Sequence, residues 1–174
     1  MKAFIILFTV AIIMVSLAYG EECFPGARVA ISPKQQFRVM WQEPADANMP
    51  HTLLFQSKHD VFPQSFFEFE RHVCLHWSPT EEYLSITDYQ GSDASTVWIY
   101  SVVPLKKVLD MRMILPEALK ELVKSNHHAY LEVKSWQEDG LRIRVWGYGD
   151  KSPAGFDMMI NCMMNSKRKC YKLQ

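Results

Sequence analysis

The sequence lacks an excess of charge of either sign: Lys and Arg together number 19, as do Asp and Glu, for a net charge of +0. Nucleic-acid binders need a basic face to meet phosphates, so no nucleic-acid partner is expected. The same balance gives no reason to expect an anionic membrane surface as partner. Also missing are the Gly-x-Ser-x-Gly turn that presents a hydrolase serine and a glycine-rich loop able to cradle phosphate. Nor is there an apolar run of the about 20 residues that suit a membrane-spanning helix.

The apolar run that does exist, 3–17, follows the basic Lys2 and precedes the small residues Ala18 and Gly20. Charged start, short apolar middle and small-x-small end is the order of a secretory leader. Cleavage after Gly20 is expected, leaving residues 21–174 as one exported domain, periplasmic or secreted, with no stable membrane span. Apolar residues at 48% and aromatics at 13% supply a real core.

Four cysteines, Cys23, Cys74, Cys162 and Cys170, all lie beyond the expected cleavage point. An even count in an exported chain points to disulfides, and three pairings are possible. Cys162 and Cys170 flank a polar stretch able to fold back as a hairpin centred on Ser166. That register sets them face to face and leaves Cys23 for Cys74.

Period-two alternation recurs along most of the chain. Short strands are expected at 28–32, 37–42, 52–56 and 65–70, with loops at 43–50 and 57–64. Three more, 72–77, 83–88 and 95–102, are joined by a turn at 78–81 and a polar loop at 89–95. Helical spacing is confined to 104–126, where Leu105, Val108 and Leu109 give one stripe and Leu119, Leu122 and Val123 another. Pro116 and Glu117 suit the start of a helix. Strands resume at 129–136 and 141–148 around an Asp-Gly hairpin signal. After a loop at 147–155 they continue at 156–162 and 169–173. The fold class is therefore mainly β: antiparallel blade-like meanders, a weak internal repeat of 72–100 in 129–161, and one helical crossover at 104–126.

Few residue groups offer chemistry. Alternation puts His72, Cys74 and His76 on one strand face, and His and Cys are zinc or copper ligands. Adjacent same-face positions lie roughly 6–7 Å apart, so a third ligand strains to reach, and an oxidised Cys74 removes the thiolate. No metal and no cofactor are expected. Ser92-Asp93, with Asp88 and a distant histidine, resembles hydrolase parts, but Asp88, Ser92, Asp93 and Ser95 suit the shaping of their own loop. His127-His128 follows a helix end, where such side chains cap carbonyls. Arg142, Arg144 and Trp146 share one strand face opposite Leu141, Ile143 and Val145. Arg and Trp are frequent binding hot spots, and they also stack on one another as cation–π pairs.

The stretch WSPTEEYLSITDYQGSDASTVWIY, 77–100, resembles one blade of the TolB-like and WD-repeat β-propellers. It is more similar still to small exported bacterial proteins carrying a WSPDG-like turn and a TD-x-x-GSD loop. Here Thr80-Glu81 replaces the usual Asp-Gly. The resemblance spans about 30 residues, implies a blade-like sheet used as a binding platform, and transfers no catalytic residue.

The expected function is that of a small exported, non-enzymatic binding protein whose partner is another protein, with Arg142, Arg144 and Trp146 as the binding residues. The alternatives are a periplasmic inhibitor or immunity protein, and a secreted metal-dependent hydrolase using the face of His72, Cys74 and His76.

Overall fold

The computed structural model of the chain describes residues 21–138, 140–149, 152–164 and 169–172. The expected leader, 1–20, lies outside the described residues, as do Asp139 of the Asp-Gly turn and 165–168 between the last two cysteines.

In chain order the strands are β1 (Glu22–Phe24), β2 (Val29–Ile31), β3 (Phe37–Gln42), β4 (His51–Ser57), β5 (Gln64–Phe69), β6 (His72–Trp77), β7 (Tyr83–Tyr89), β8 (Thr96–Ser101) and β9 (Lys106–Asp110). A 3-10 turn (Met111–Ile114) and the helix α1 (Glu117–Ser125) lead to β10 (His128–Trp136), β11 (Gly140–Gly149), β12 (Ser152–Met163) and β13 (Cys170–Lys172). They form three antiparallel sheets: a central one, β1-β6-β7-β8-β9, an N-terminal one, β2-β3-β4-β5, and a C-terminal one, β10-β11-β12-β13. The fold is mainly β with one helical crossover, as the sequence led us to expect.

The central sheet is covered on both faces. One face sends Phe24, Val73, Leu75, Trp77, Leu84, Ile86 and Tyr100 into a core shared with Ala30, Val39, Leu53, Phe55 and Phe69 of the N-terminal sheet. From the other, Val97 and Ile99 enter a second core with Met111, Leu119, Leu131, Val133, Ile143, Val145 and Ile160. Strand alternation dictates the division, since even and odd residues of β7 and β8 point to opposite cores. The disulfides are Cys23–Cys74, between directly opposed residues of β1 and β6, and Cys162–Cys170, directly opposed in β12 and β13. Such bonds point to an oxidising, extracellular-type compartment.

Three expectations change. The 72–100 meander is not a propeller blade. It is the middle of a five-stranded open sheet, and no closed ring of blades exists among the described residues. In the turn that carried the resemblance, Glu81 adopts a left-handed backbone (φ 65), the conformation glycine would supply in a WSPDG-like turn. Its buried carboxylate accepts the Lys34 amide, tying this turn to the one between β2 and β3. The helical stretch is shorter than 104–126, because 106–110 pairs with β8 as an edge strand. Most of the loop expected at 147–155 is strand instead: β11 reaches Gly149 and β12 starts at Ser152, its register partner. Only glycine fits at 147: a Cβ there would lie 2.1 Å from the His128 carbonyl oxygen.

The C-terminal sheet docks by an edge. β10 lies at the end of its sheet, so alternate backbone groups have no strand to pair with. Hydroxyls and a carbonyl of the central sheet and its loop take that place. The Leu131 amide donates to Ser95 Oγ at 3.0 Å, and Ser95 Oγ donates to the Leu131 carbonyl at 2.7 Å. The Val133 amide donates to Thr87 Oγ1 at 3.2 Å, and the Ala129 amide to the Asp93 carbonyl at 3.1 Å. At the far end, Trp136 Nε1 donates to the His76 carbonyl at 2.9 Å.

Removing Ser95 Oγ would strand a buried amide and a buried carbonyl together. Ser95→Ala is expected to lower stability by about 1–3 kcal/mol in urea unfolding, whereas Ser92→Ala, at an exposed hydroxyl, should change it by less than about 0.5 kcal/mol.

Candidate functional site

Docking by β10 sets two surfaces side by side. The first is the part of the β6–β7 face that the second core does not cover. There His72 stacks on Tyr89 with ring centroids 4.2 Å apart. Cys74 is joined to Cys23, and the buried His76 places Nε2 3.2 Å from Glu21 Oε1. His72, Cys74 and His76 do share a face, but the disulfide has consumed the thiolate a metal would require. Glu21 sits beside the two bonded sulfurs, which leaves one carboxylate there as a ligand. The metal reading of this face, and the hydrolase built on it, is therefore dropped.

The second surface is the outer face of the C-terminal sheet. Leu141, Ile143 and Val145 enter the core, so Arg142, Arg144 and Trp146 all point outward, as alternation requires. Register sets the rows across the sheet. His128 lies opposite Tyr148, and Tyr130 opposite Trp146, which faces Asp157 on its other side. Glu132 lies opposite Arg144, and Ser135 opposite Arg142, followed by Asn161 and Tyr171.

Aromatic pairs stiffen this face. The rings of His128 and Tyr148 stack at 4.3 Å, and those of Tyr130 and Trp146 at 4.1 Å. The Tyr130 hydroxyl donates to the Ser92 carbonyl, anchoring the ladder to the 90–95 loop. Arg144 lies 5.3 Å from the Trp146 centroid and donates from Nε and Nη2 to Asp157 at 2.9 and 2.6 Å. This pairing raises the Arg144 pKa and lowers that of Asp157. The cation–π alternative for Arg144 and Trp146 is thus realised.

Glu132 joins the two surfaces. Its carboxylate lies close enough to the Tyr89 hydroxyl to raise that group's pKa, and Oε1 is 2.5 Å from Lys134 Nζ. Burial first, then the nearby carboxylates of Glu132 and Glu21, push the Tyr89 pKa up. A continuous belt therefore runs from His72 and Tyr89, through Glu132, to Arg144, Trp146 and Tyr130. Glu132, Tyr89, Tyr130 and Asp157 were missing from the sequence-level site. No turn signal could have found the Tyr130–Trp146 pair: the register that starts at Trp136 and Leu141 would oppose Tyr130 to Gly147, and a β-bulge between Val133 and Ser135 shifts it onto Trp146.

The Ser92 region is arranged against catalysis. Ser92 Oγ donates to Asp93 Oδ1 at 2.8 Å, and His128 Nδ1 lies 3.4 Å from that same oxygen. The carboxylate stands between serine and histidine, whereas activating the hydroxyl requires the imidazole in the middle. His128 is a strand residue stacked on Tyr148, not a helix cap.

His76 carries a pH signature. Burial lowers its pKa below 6.5, opposed by Glu21 and Glu132 and reinforced by Lys134. A histidine depressed in the folded state binds its proton more readily when unfolded, so stability rises with pH across this window. Unfolding midpoints are expected to fall as pH drops from 7 through 6.5 towards 5, with a shallower slope in His76→Gln. An equal slope in the variant would remove His76 as the cause.

No helix among the described residues is long and apolar enough to cross a membrane. Comparison of the chain with protein-family models, curated proteins and solved structures gives no match, so the propeller-blade likeness of 77–100 has no support beyond its motif.

Proposed function

We propose that this is an exported, non-enzymatic binding protein, periplasmic or secreted, which docks a protein partner on the outer face of its C-terminal sheet. One observation carries the reading: a sheet face bearing Arg142, Arg144, Trp146, Tyr148 and Tyr171, held in place before any partner arrives. Tyr148 and Tyr171 remain 46% and 49% exposed although the second core lies on the opposite side of the same sheet. Trp, Tyr and Arg dominate the energetics of protein interfaces. The stacking of His128 on Tyr148 and the Asp157 grip on Arg144 fix rotamers that would otherwise be ordered on binding. Two disulfides and the leader-like 1–20 support the exported location.

The test is capture from the exported fraction of the producing cell by the wild type, in parallel with a Tyr148→Ser/Tyr171→Ser variant. Losing the Tyr148 stack on His128 should lower stability by about 0.5–1.5 kcal/mol, so urea unfolding of the variant is followed beside the wild type and capture is compared where both are folded. A partner bound about 10- to 100-fold more weakly by the variant supports the reading, the range that follows from losing interface anchors. A partner that binds both forms equally overturns it.

A further inference from the structure

We infer that Arg142 is a carboxylate receptor and that the partner presents an acidic side chain to it. The inference rests on the outer face of the C-terminal sheet being a binding surface, and it divides the work among the residues there.

Among the described side chains of this face, three cations meet two carboxylates. Lys134 is taken by Glu132 at 2.5 Å, and Arg144 by Asp157 at 2.9 and 2.6 Å. Among the described residues no ion pair or hydrogen bond reaches Arg142, and its Nε is buried without a partner. On the adjoining strand its direct neighbour Asn161 likewise has a buried, unpartnered Oδ1. A folded chain satisfies buried polar groups with few exceptions; the unpartnered Arg142 Nε–H asks for an acceptor from outside, whereas Asn161 Oδ1, itself an acceptor, asks for a donor. The surplus charge is local, since the chain as a whole is neutral.

The neighbours determine what that group is. The row Ser135–Arg142–Asn161–Tyr171 is polar and ends on a half-exposed phenol. Arg144, one position along the same face, repels a second cation and is already saturated by Asp157. A guanidinium binds a carboxylate through two parallel N–H bonds, a geometry lysine cannot copy. Complementary charge at such a point sets partner choice and orientation. Arg142 is thus the recognition point, while Arg144 and Trp146 form a rigid frame beside it.

The probe is a blocked hexaglutamate peptide, with hexaglutamine as control, titrated into the 15N-labelled full chain while the arginine Nε–Hε resonances are followed. The Arg142 resonance is expected to shift saturably with hexaglutamate, more weakly as salt is added, while that of Arg144 holds still. Arg142→Gln should weaken the peptide about 10-fold or more, the value of one charge-assisted pair, and Arg142→Lys should not restore it. The glutamine variant should unfold no earlier than wild type, because it deletes an unpaired buried donor. Hexaglutamate binding no tighter than hexaglutamine, or equally well to Arg142→Gln, overturns the inference, as does movement of Arg144 in place of Arg142. The two readings fail separately. A captured partner lost from the tyrosine variant but kept by Arg142→Gln removes the carboxylate and leaves the face. Hexaglutamate held at Arg142, with a partner indifferent to the face, does the reverse.

Discussion

The edge of β10 is the interaction on which the arrangement depends. A strand at the end of a sheet carries unpaired backbone groups, and burying them without partners is expensive. Here Ser95 and Thr87 meet the amides of Leu131 and Val133 with side-chain oxygens, and Trp136 Nε1 reaches the His76 carbonyl. Buried hydroxyls on β7 and just before β8 look out of place by hydropathy alone. They belong there because they stand in for a neighbouring strand. This contact fixes where the C-terminal sheet sits, and with it which of its faces is core and which is free.

The consequence for function is geometric. With β10 laid across β8, β7 and β6, its outward residues come alongside the uncovered part of the central sheet, and the Glu132 carboxylate comes near enough to Tyr89 to raise its pKa. The strand face of His72, Cys74 and His76 and the strand face of Arg142, Arg144 and Trp146 become parts of one belt. Within it most charges are spent internally. Glu132 holds Lys134, Asp157 holds Arg144, and Glu21 lies against His76. Exposed pairs of this kind add little stability, but they fix side chains in place and leave Arg142 unmatched.

Much of the fold was legible. Alternation found most strands, and the hairpin geometry of 162–170 selected the disulfide partners from three possible pairings. The stripe of Leu119, Leu122 and Val123 marked the real helix. The stripe of Leu105, Val108 and Leu109 fits helix and strand alike, and only the edge left open beside β8 resolved it as β9. The propeller likeness failed for a related reason. Trp-Ser-Pro turns and alternating strands describe any antiparallel meander, and nothing in 77–100 states whether the sheet closes into a ring or lies between two others.

For the candidate site, the sequence by itself determined composition and direction. Period two put Arg142, Arg144 and Trp146 on one face, set His72, Cys74 and His76 on another, and cysteine parity pointed to an oxidised Cys74. These follow from local backbone geometry, which each strand carries wherever it is placed. Only the tertiary structure decided which cation has an acid and which is left without one. Asp157 reaches Arg144 from a strand 13 residues on, and Tyr89 reaches Glu132 from a different sheet. Pairing of charges depends on register and on how sheets dock, and both are settled by long-range packing that no local pattern encodes.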